Sequence, residues 1–378
     1  MKISIDSLSD VLSTVSGCIP NNTNHSILGN VLIEATADQS IYVTAFDLSK
    51  GIRAKVPASV EEAGSLTLPA KLLGDISNRL SSIGLTTNKL AATIASGSSS
   101  YSIQGMPAEE FPEIPAVSED AALTAHIPAD LLRSGFEKTV YCTSRDNTKQ
   151  VLTGIHVTIK PTDESGLGDI EFVATDGHRL TVWAVEFDNN IARDNVEFTI
   201  PAGSVRLLLK CIALEGTGTD DCKIQLTESG LWISMNTFDV YTRLLEGQYP
   251  NYRQLIPVKF DHKITVGRKE LVNALSRIAV VVEKNNNIVT LKVDSASQSV
   301  IATADVADVG SGQEVVAADC ASSDLEFAMN LVYMMEAVKS FSSDNTVYIC
   351  GNTRTAPFVI RGENTKNVAI VMPVQIRK

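Results

Sequence analysis

The chain has 378 residues, 44% hydrophobic and 20% charged, with 32 Lys and Arg against 44 Asp and Glu and a formal net charge of −12. Such a length and composition predict a globular protein of two to three domains. They exclude a polypeptide that grips nucleic acid with its whole surface, because phosphate binding needs concentrated Lys and Arg.

Three copies of one plan, each about 125 residues long, follow one another along the chain. Each opens with an amphipathic helix, predicted over residues 7–15, 129–142 and 269–282. Leu8, Val11, Leu12 and Val15 form the apolar stripe of the first; Leu131, Leu132, Phe136 and Val140 that of the second; Leu271, Val272, Leu275 and Ile278 that of the third. A strand comes next, at 27–33 (ILGNVLI), 151–159 (VLTGIHVTI) and 287–293 (NIVTLKV). A second strand ends in a corner: 42–48 (YVTAFDL), 172–180 (FVATDGHRL) and 300–306 (VIATADV). A further strand feeds a second helix, beginning at Leu66, Phe198 and Leu325, with Pro69 and Pro201 at the first turn, where a missing N–H costs nothing. Boundaries fall near 118–122 and 257–261, giving domains 1–120, 121–257 and 258–378. Each is α+β, with two helices packed on short antiparallel strands. Linkers this short, without Gly/Ser enrichment, favour rigid abutment.

The N-terminus MKISIDSLSD has no basic-then-apolar signal pattern, and no apolar run reaches the roughly 20 residues that span a bilayer. The six cysteines (Cys18, Cys142, Cys211, Cys222, Cys320 and Cys350) are scattered, without a CxxC or a His at metal spacing. They read as reduced thiols of a cytoplasmic protein that holds no metal and no cofactor.

The second corner crowds Thr175, Asp176, Gly177, His178 and Arg179 together. Asp and Gly are turn formers, and the remaining side chains fit a docking rim, a hydrogen-bonded corner or a catalytic pair. Asp176 and His178 as acid and base, with Arg179 holding an anion, is the enzyme reading; no nucleophile or metal-ligand cluster accompanies them. Elsewhere Lys71, Arg79, Arg133, Arg206, Lys210, Arg277 and Lys339 lie off the apolar helix stripes, while acids gather in loops and strands (Glu61, Glu62, Glu109, Glu110, Glu119, Asp120, Asp220, Asp221). Helical Lys and Arg commonly form a solvated face. Their repetition against an acidic remainder fits a basic lining that meets phosphates and reads no sequence.

ATDGHRL (174–180), EGQYPNYRQLIP (246–257), ILGNVLI and the terminal MPV (372–374) together resemble the bacterial DNA polymerase III beta subunit family, the sliding clamps, in order and from Met1 to the C-terminus. The resemblance implies a head-to-tail homodimer of six α+β domains, a ring with helices inside and sheets outside. Such a ring encircles duplex DNA without sequence preference and tethers the replicative polymerase; the family has no catalytic role and no membrane partner. It implies that the seven basic residues above line the channel. It also implies a pocket between domains 2 and 3 for short apolar-acidic peptides of polymerases, clamp loader and repair proteins. The matching positions are Leu152, Thr175, Gly177, His178, Arg179, Leu180, Pro250, Leu255, Pro357, Ile370, Met372, Pro373 and Val374. Arg179 and His178 would supply donors there, with Asp176 and Gly177 setting the turn. Tyr101 and Ile103 would meet the partner's Val280 and Val281 across strand edges. Two features depart from the family: loop 20–26 carries no Lys or Arg, and the chain continues past Val374 with a basic QIRK ending. A clamp-like scaffold outside replication is the alternative that the loop favours.

Overall fold

The computed structural model describes residues 1–5, 8–20, 24–80, 82–117, 121–161, 167–188, 195–215, 221–282, 287–306, 310–321 and 323–375. Six α-helices stand among them: α1 (Ser9–Val15), α2 (Ala70–Ser77), α3 (Ala129–Thr139), α4 (Ala202–Glu215), α5 (Arg268–Ile278) and α6 (Leu331–Ser340). In α1, α3 and α5 the predicted stripes supply buried residues (Leu12 and Val15, Leu132 and Phe136, Leu271, Leu275 and Ile278), while Val11, Leu131, Val140 and Val272 are half-buried. Several helices are shorter than the periodicity predicts. The first starts at Ser9 (Ser7 lies outside the described residues), and the second tightens into a 3₁₀ turn over Val140–Cys142. Glu119, Asp120, Asp220, part of loop 20–26 and residues 376–378 also lie outside the described residues.

The chain divides into two compact units, residues 1–133 with 203–244, and residues 134–202 with 245–378. Unit 1 holds a five-stranded sheet and an eight-stranded one. In the larger sheet Phe238–Thr242 pairs antiparallel with Lys50–Pro57, so strands from consecutive repeats share one ladder. Unit 2 holds a twelve-stranded sheet, and Val368–Val371 pairs there with Arg179–Asp188 in the same manner. The eight strands of unit 1 and the first eight of unit 2 run in the same repeat order, which is the sequence repeat expressed as topology.

The predicted strand 27–33 begins with a 3₁₀ turn, Ser26–Gly29, and only Asn30–Thr36 is extended. Leu28 N–H bonds His25 O at 3.1 Å, and the Asn30 amide donates to Thr67 Oγ1 at 3.1 Å, fixing where the ladder starts. Gln150–Thr153 repeats the device ahead of Gly154–Ile159. A short apolar run such as ILG carries no periodicity that separates turn from strand.

Helix α3 reaches the sheet through Gly135, where a Cβ would lie 2.2 Å from Phe172 Cε2. The same Phe172 ring meets Phe136 edge-on at 5.2 Å. Alanine is the better helix former by about 1 kcal/mol, but here the methyl group overfills a packed contact. Gly135→Ala is therefore expected to lower stability by about 2 kcal/mol, read as a fall in the urea midpoint. An unchanged or raised midpoint would show that the helix can back away from Phe172.

Candidate functional site

The corner between Leu167–Thr175 and Arg179–Asp188 is built by its own short-range hydrogen bonds. Asp176 Oδ1 accepts from the backbone N–H of His178 (2.9 Å) and Arg179 (3.0 Å). Gly177 sits at φ +92°, a conformation that favours glycine. The Thr175 hydroxyl donates to Arg179 O at 2.7 Å and accepts from Gly177 N–H at 3.1 Å. Asp176 and Gly177 thus set the turn as the sequence predicts.

Two predicted roles in this corner need correcting. Thr175 is buried with its hydroxyl spent inside the turn, and among Thr175, His178, Arg179 and Leu180 only His178 is exposed. Arg179 is no open donor. Its Nε donates to Asp176 Oδ2 at 3.0 Å, one terminal nitrogen binds Glu336, and the other donates to Tyr141 O at 2.6 Å. The guanidinium lies 4.2 Å over the Tyr333 ring and 5.4 Å from the Tyr141 ring centre. It therefore ties the corner to the turn after α3 and to α6. Nothing in local sequence marked Glu336 as its partner.

An apolar floor adjoins the corner. Val173, Leu180, Val182, Tyr249, Tyr252, Val359, Val368 and Ile370 form one buried cluster, with Leu152 and Ile256 packed against it. Leu180 and Ile370 are direct partners in the ladder, so two predicted pocket residues meet side by side. Met372 N–H bonds His178 O at 2.9 Å, which carries the tail past the corner. Leu255 and Met372 stand out as exposed apolar residues at 55% and 37%, and Pro250 is exposed, while Pro357, Pro373 and Val374 are half-buried. A hydrophobic floor with exposed apolar residues and few free polar groups suits an apolar peptide side chain.

The segment 249–256 is held by a buried carboxylate that sequence reading missed. Glu171 is 4% exposed. It accepts from Tyr252 Oη and, at 2.6 Å, from Arg253, with Lys160 at 3.6 Å. Burial first, then this carboxylate, push the Tyr252 phenol above its ordinary range. An acid at a strand position facing YxxYR carries no local signature.

Of the basic candidates, Lys71, Arg79, Arg206, Lys210 and Lys339 are exposed, and Arg133 is half-buried. Arg277 is different: its guanidinium binds Glu314 through two nitrogens, at 2.9 and 2.6 Å, so its charge is already matched. Among the interface candidates Val280 is 80% exposed and Tyr101 is 42% exposed on the edge strand Ser99–Gln104. Ile103 is corrected. At 2% exposure it belongs to the core of its own unit and offers only backbone at that edge. Val281 is half-buried and packs toward Gly312. No group of His, Cys, Asp and Glu with metal-site geometry occurs among the described residues.

Family models of the DNA polymerase III beta subunit match the chain in order: the N-terminal domain over residues 1–115, the central domain over 126–251 and the C-terminal domain over 253–375. The chain is 40% identical to a beta sliding clamp of Synechococcus elongatus, covering 98% of this chain and 97% of that protein. The solved DNA polymerase sliding clamp of Bacillus subtilis matches with a TM-score of 0.89 at 25% identity, with 100% of both chains covered. A sliding clamp from Bartonella birtlesii, solved bound to griselimycin, matches at 0.87 and 26% identity, again over 100% of both chains.

Proposed function

The chain belongs to the DNA polymerase III beta subunit family, the sliding clamps, and on that premise we propose that it works as a homodimeric ring around duplex DNA. The family is a non-catalytic processivity factor of DNA polymerase III. The observation that carries the reading is the full-length, in-order match of three clamp domains. Domain limits of 1–120, 121–257 and 258–378 accompany it.

Two copies join head to tail through strand edges. The strand Ser99–Gln104 ends its sheet with Tyr101 exposed, and the first half of Gly310–Cys320 pairs only on its Ser299–Val306 side among the described residues. Unpaired ladders of this kind invite a partner strand. Val280 adds an exposed apolar contact in the third domain.

A closed ring reconciles a net charge of −12 with DNA. Topology holds the duplex, so the lining needs only weak, sequence-blind attraction, and strong phosphate bonding would impede sliding. Lys71, Arg79, Arg206, Lys210 and Lys339 supply that attraction, with Arg133 beside them; Arg277, neutralised by Glu314, contributes least. The floor around Leu180 and Ile370, with Leu255 and Met372 at its rim, receives short apolar peptides of the polymerase, clamp loader and repair proteins. The working compartment is the cytoplasm; no helix among the described residues is long and apolar enough to cross a membrane.

The test is retention. Once loaded, the protein is expected to stay on nicked circular DNA through a wash at about 0.5 M salt, where surface charge is screened to a few ångström, and to run off the same DNA after linearisation. Equal retention on both forms would overturn the ring.

A further inference from the structure

The larger sheet of unit 1 carries a cavity of about 720 Å³ that the clamp function does not use. One cross-strand row forms its floor, running Leu32, Thr44, Arg53, Asp239, Ser234 through successive ladder partners. Unit 2 has the corresponding row as His156, Val173, Val182, Val368, Arg361. There the three central valines are buried in the cluster that Tyr252, Ile256 and Phe260 cover. In unit 1 the same three places hold Thr44, Arg53 and Asp239, and the segment 108–117 roofs them without filling the space. The replacement of valines by polar groups under an unfilled roof distinguishes a built pocket from slack packing.

Two of the lining residues each hold a polar atom closed off beneath the cavity wall. Thr44, 6% exposed, has a buried Oγ1 with no hydrogen-bond partner, and the Trp232 indole N–H is buried and likewise unpaired. Buried donors left this way are rare and costly. Phe111 and Ile114 from the roof join Leu32 and Trp232 as apolar surface. Charge on the lining is lopsided. Arg53, the ladder partner of Asp239, lies 4.0 Å from the centre of the Tyr42 ring and 3.7 Å from Glu34, so one cation of the lining stands against four acids, Glu34, Glu109, Glu113 and Asp239.

We propose that this cavity is a second docking pocket, for a short extended peptide that carries Lys or Arg beside an apolar residue. The peptide's cation faces Asp239 and Glu113, and its apolar side chain lies against Leu32, Trp232 and Ile114. Its charge preference is opposite to that of the floor in unit 2, which is expected to take apolar-acidic peptides.

The chain's two tryptophans provide the readout, Trp232 in this pocket and Trp183 buried in unit 2 as an internal control. The full chain labelled with 5-fluorotryptophan is titrated with acetyl-leucyl-arginyl-leucinamide and with its glutamyl counterpart, following both fluorine signals. The arginyl peptide is expected to move the Trp232 signal saturably and leave Trp183 in place, with the glutamyl peptide binding at least about tenfold more weakly, the scale of one charge-assisted contact. Asp239→Asn should weaken the arginyl peptide by about fivefold or more for the same reason, whereas Thr44→Val, which changes only an atom closed to the cavity, should leave its affinity in place. No saturable movement of Trp232, equal affinity for both peptides, or an unaltered response in folded Asp239→Asn would each overturn the proposal.

Discussion

Raising the pH from 8 to 10.5 under reducing conditions is expected to unfold the protein at room temperature. All six cysteines are free thiols buried in the fold. Burial pushes every one of them up: Cys18, Cys142 and Cys222 to about 12, and Cys211, Cys320 and Cys350 in the same direction. A raised folded value means that the native chain keeps protons which the unfolded chain has released. The stabilisation is complete below the unfolded thiol value of about 8.5 and is lost as pH climbs toward the folded one. At pH 10.5 that gap is about two units, on the order of 3 kcal/mol per thiol, and the three thiols of the second repeat, Cys142, Cys211 and Cys222, lose on the order of 8 kcal/mol together. A domain-scale stability of about 5–15 kcal/mol does not survive this comfortably. Tyr249 and Tyr252, also pushed up chiefly by burial, add to the loss from about pH 10. Circular dichroism and thiolate absorbance followed against pH should change together, with a midpoint near pH 10. Cys222→Ala should lose less stability between pH 8 and 10.5 than the parent, even if it starts lower. A native signal with no thiolate at pH 11.5 would refute the argument.

Much of the fold was legible because it rests on local rules used three times. Apolar residues at helical spacing announced α1, α3 and α5, and Asp176–Gly177 announced a corner, since both act within a few residues of themselves. The recurrence of ILGN-like and FVATD-like phrases then gave the repeat, and with it the equivalence of the Phe238–Thr242 and Val368–Val371 ladders became intelligible. What was not legible is the choice of distant partners. Arg179 reads as an open cation until Glu336, 157 residues later, is seen against it. Ile103 reads as an edge residue because alternation gives parity, while the depth of the core beneath an edge strand depends on other strands. Glu171 organises Tyr252 and Arg253, partners about 80 residues away in sequence that no local pattern around it announces. The cavity of unit 1 had no signature in its own strands. It emerges only when Thr44, Arg53 and Asp239 are set beside the valines that hold the matching places in unit 2.

Arg179→Ala is expected to cost about 3 kcal/mol, the lower end for breaking a buried ion pair, and to weaken peptide binding at the same time. The lower end applies because the orphaned acids are partly provided for. Asp176 keeps two backbone N–H donors, and Glu336, 39% exposed, regains water. What is lost is a three-way tie: the corner through Asp176, the turn after α3 through Tyr141 O, and α6 through Glu336 and Tyr333. Arg179→Lys should recover less than half, since an ammonium cannot reproduce the planar fork or the stacking on Tyr333. The decisive comparison is Glu336→Gln. If Arg179 acted by donating directly to a bound peptide, removing a carboxylate from its far side would leave peptide affinity unchanged or improve it by freeing a donor. If Arg179 holds the corner against α6, Glu336→Gln must itself weaken a polymerase-derived apolar peptide, and Arg179→Ala must do little further damage in that background. Calorimetric titration of the four proteins separates the two cases. The strut is favoured in advance by geometry: the guanidinium side chain is 10% exposed, and the hydrogen bond from Met372 N–H to His178 O ties the tail to the same corner that Arg179 braces. A loosened corner therefore shifts Met372 and the floor beneath it together, so affinity falls without the loss of any direct contact to the peptide.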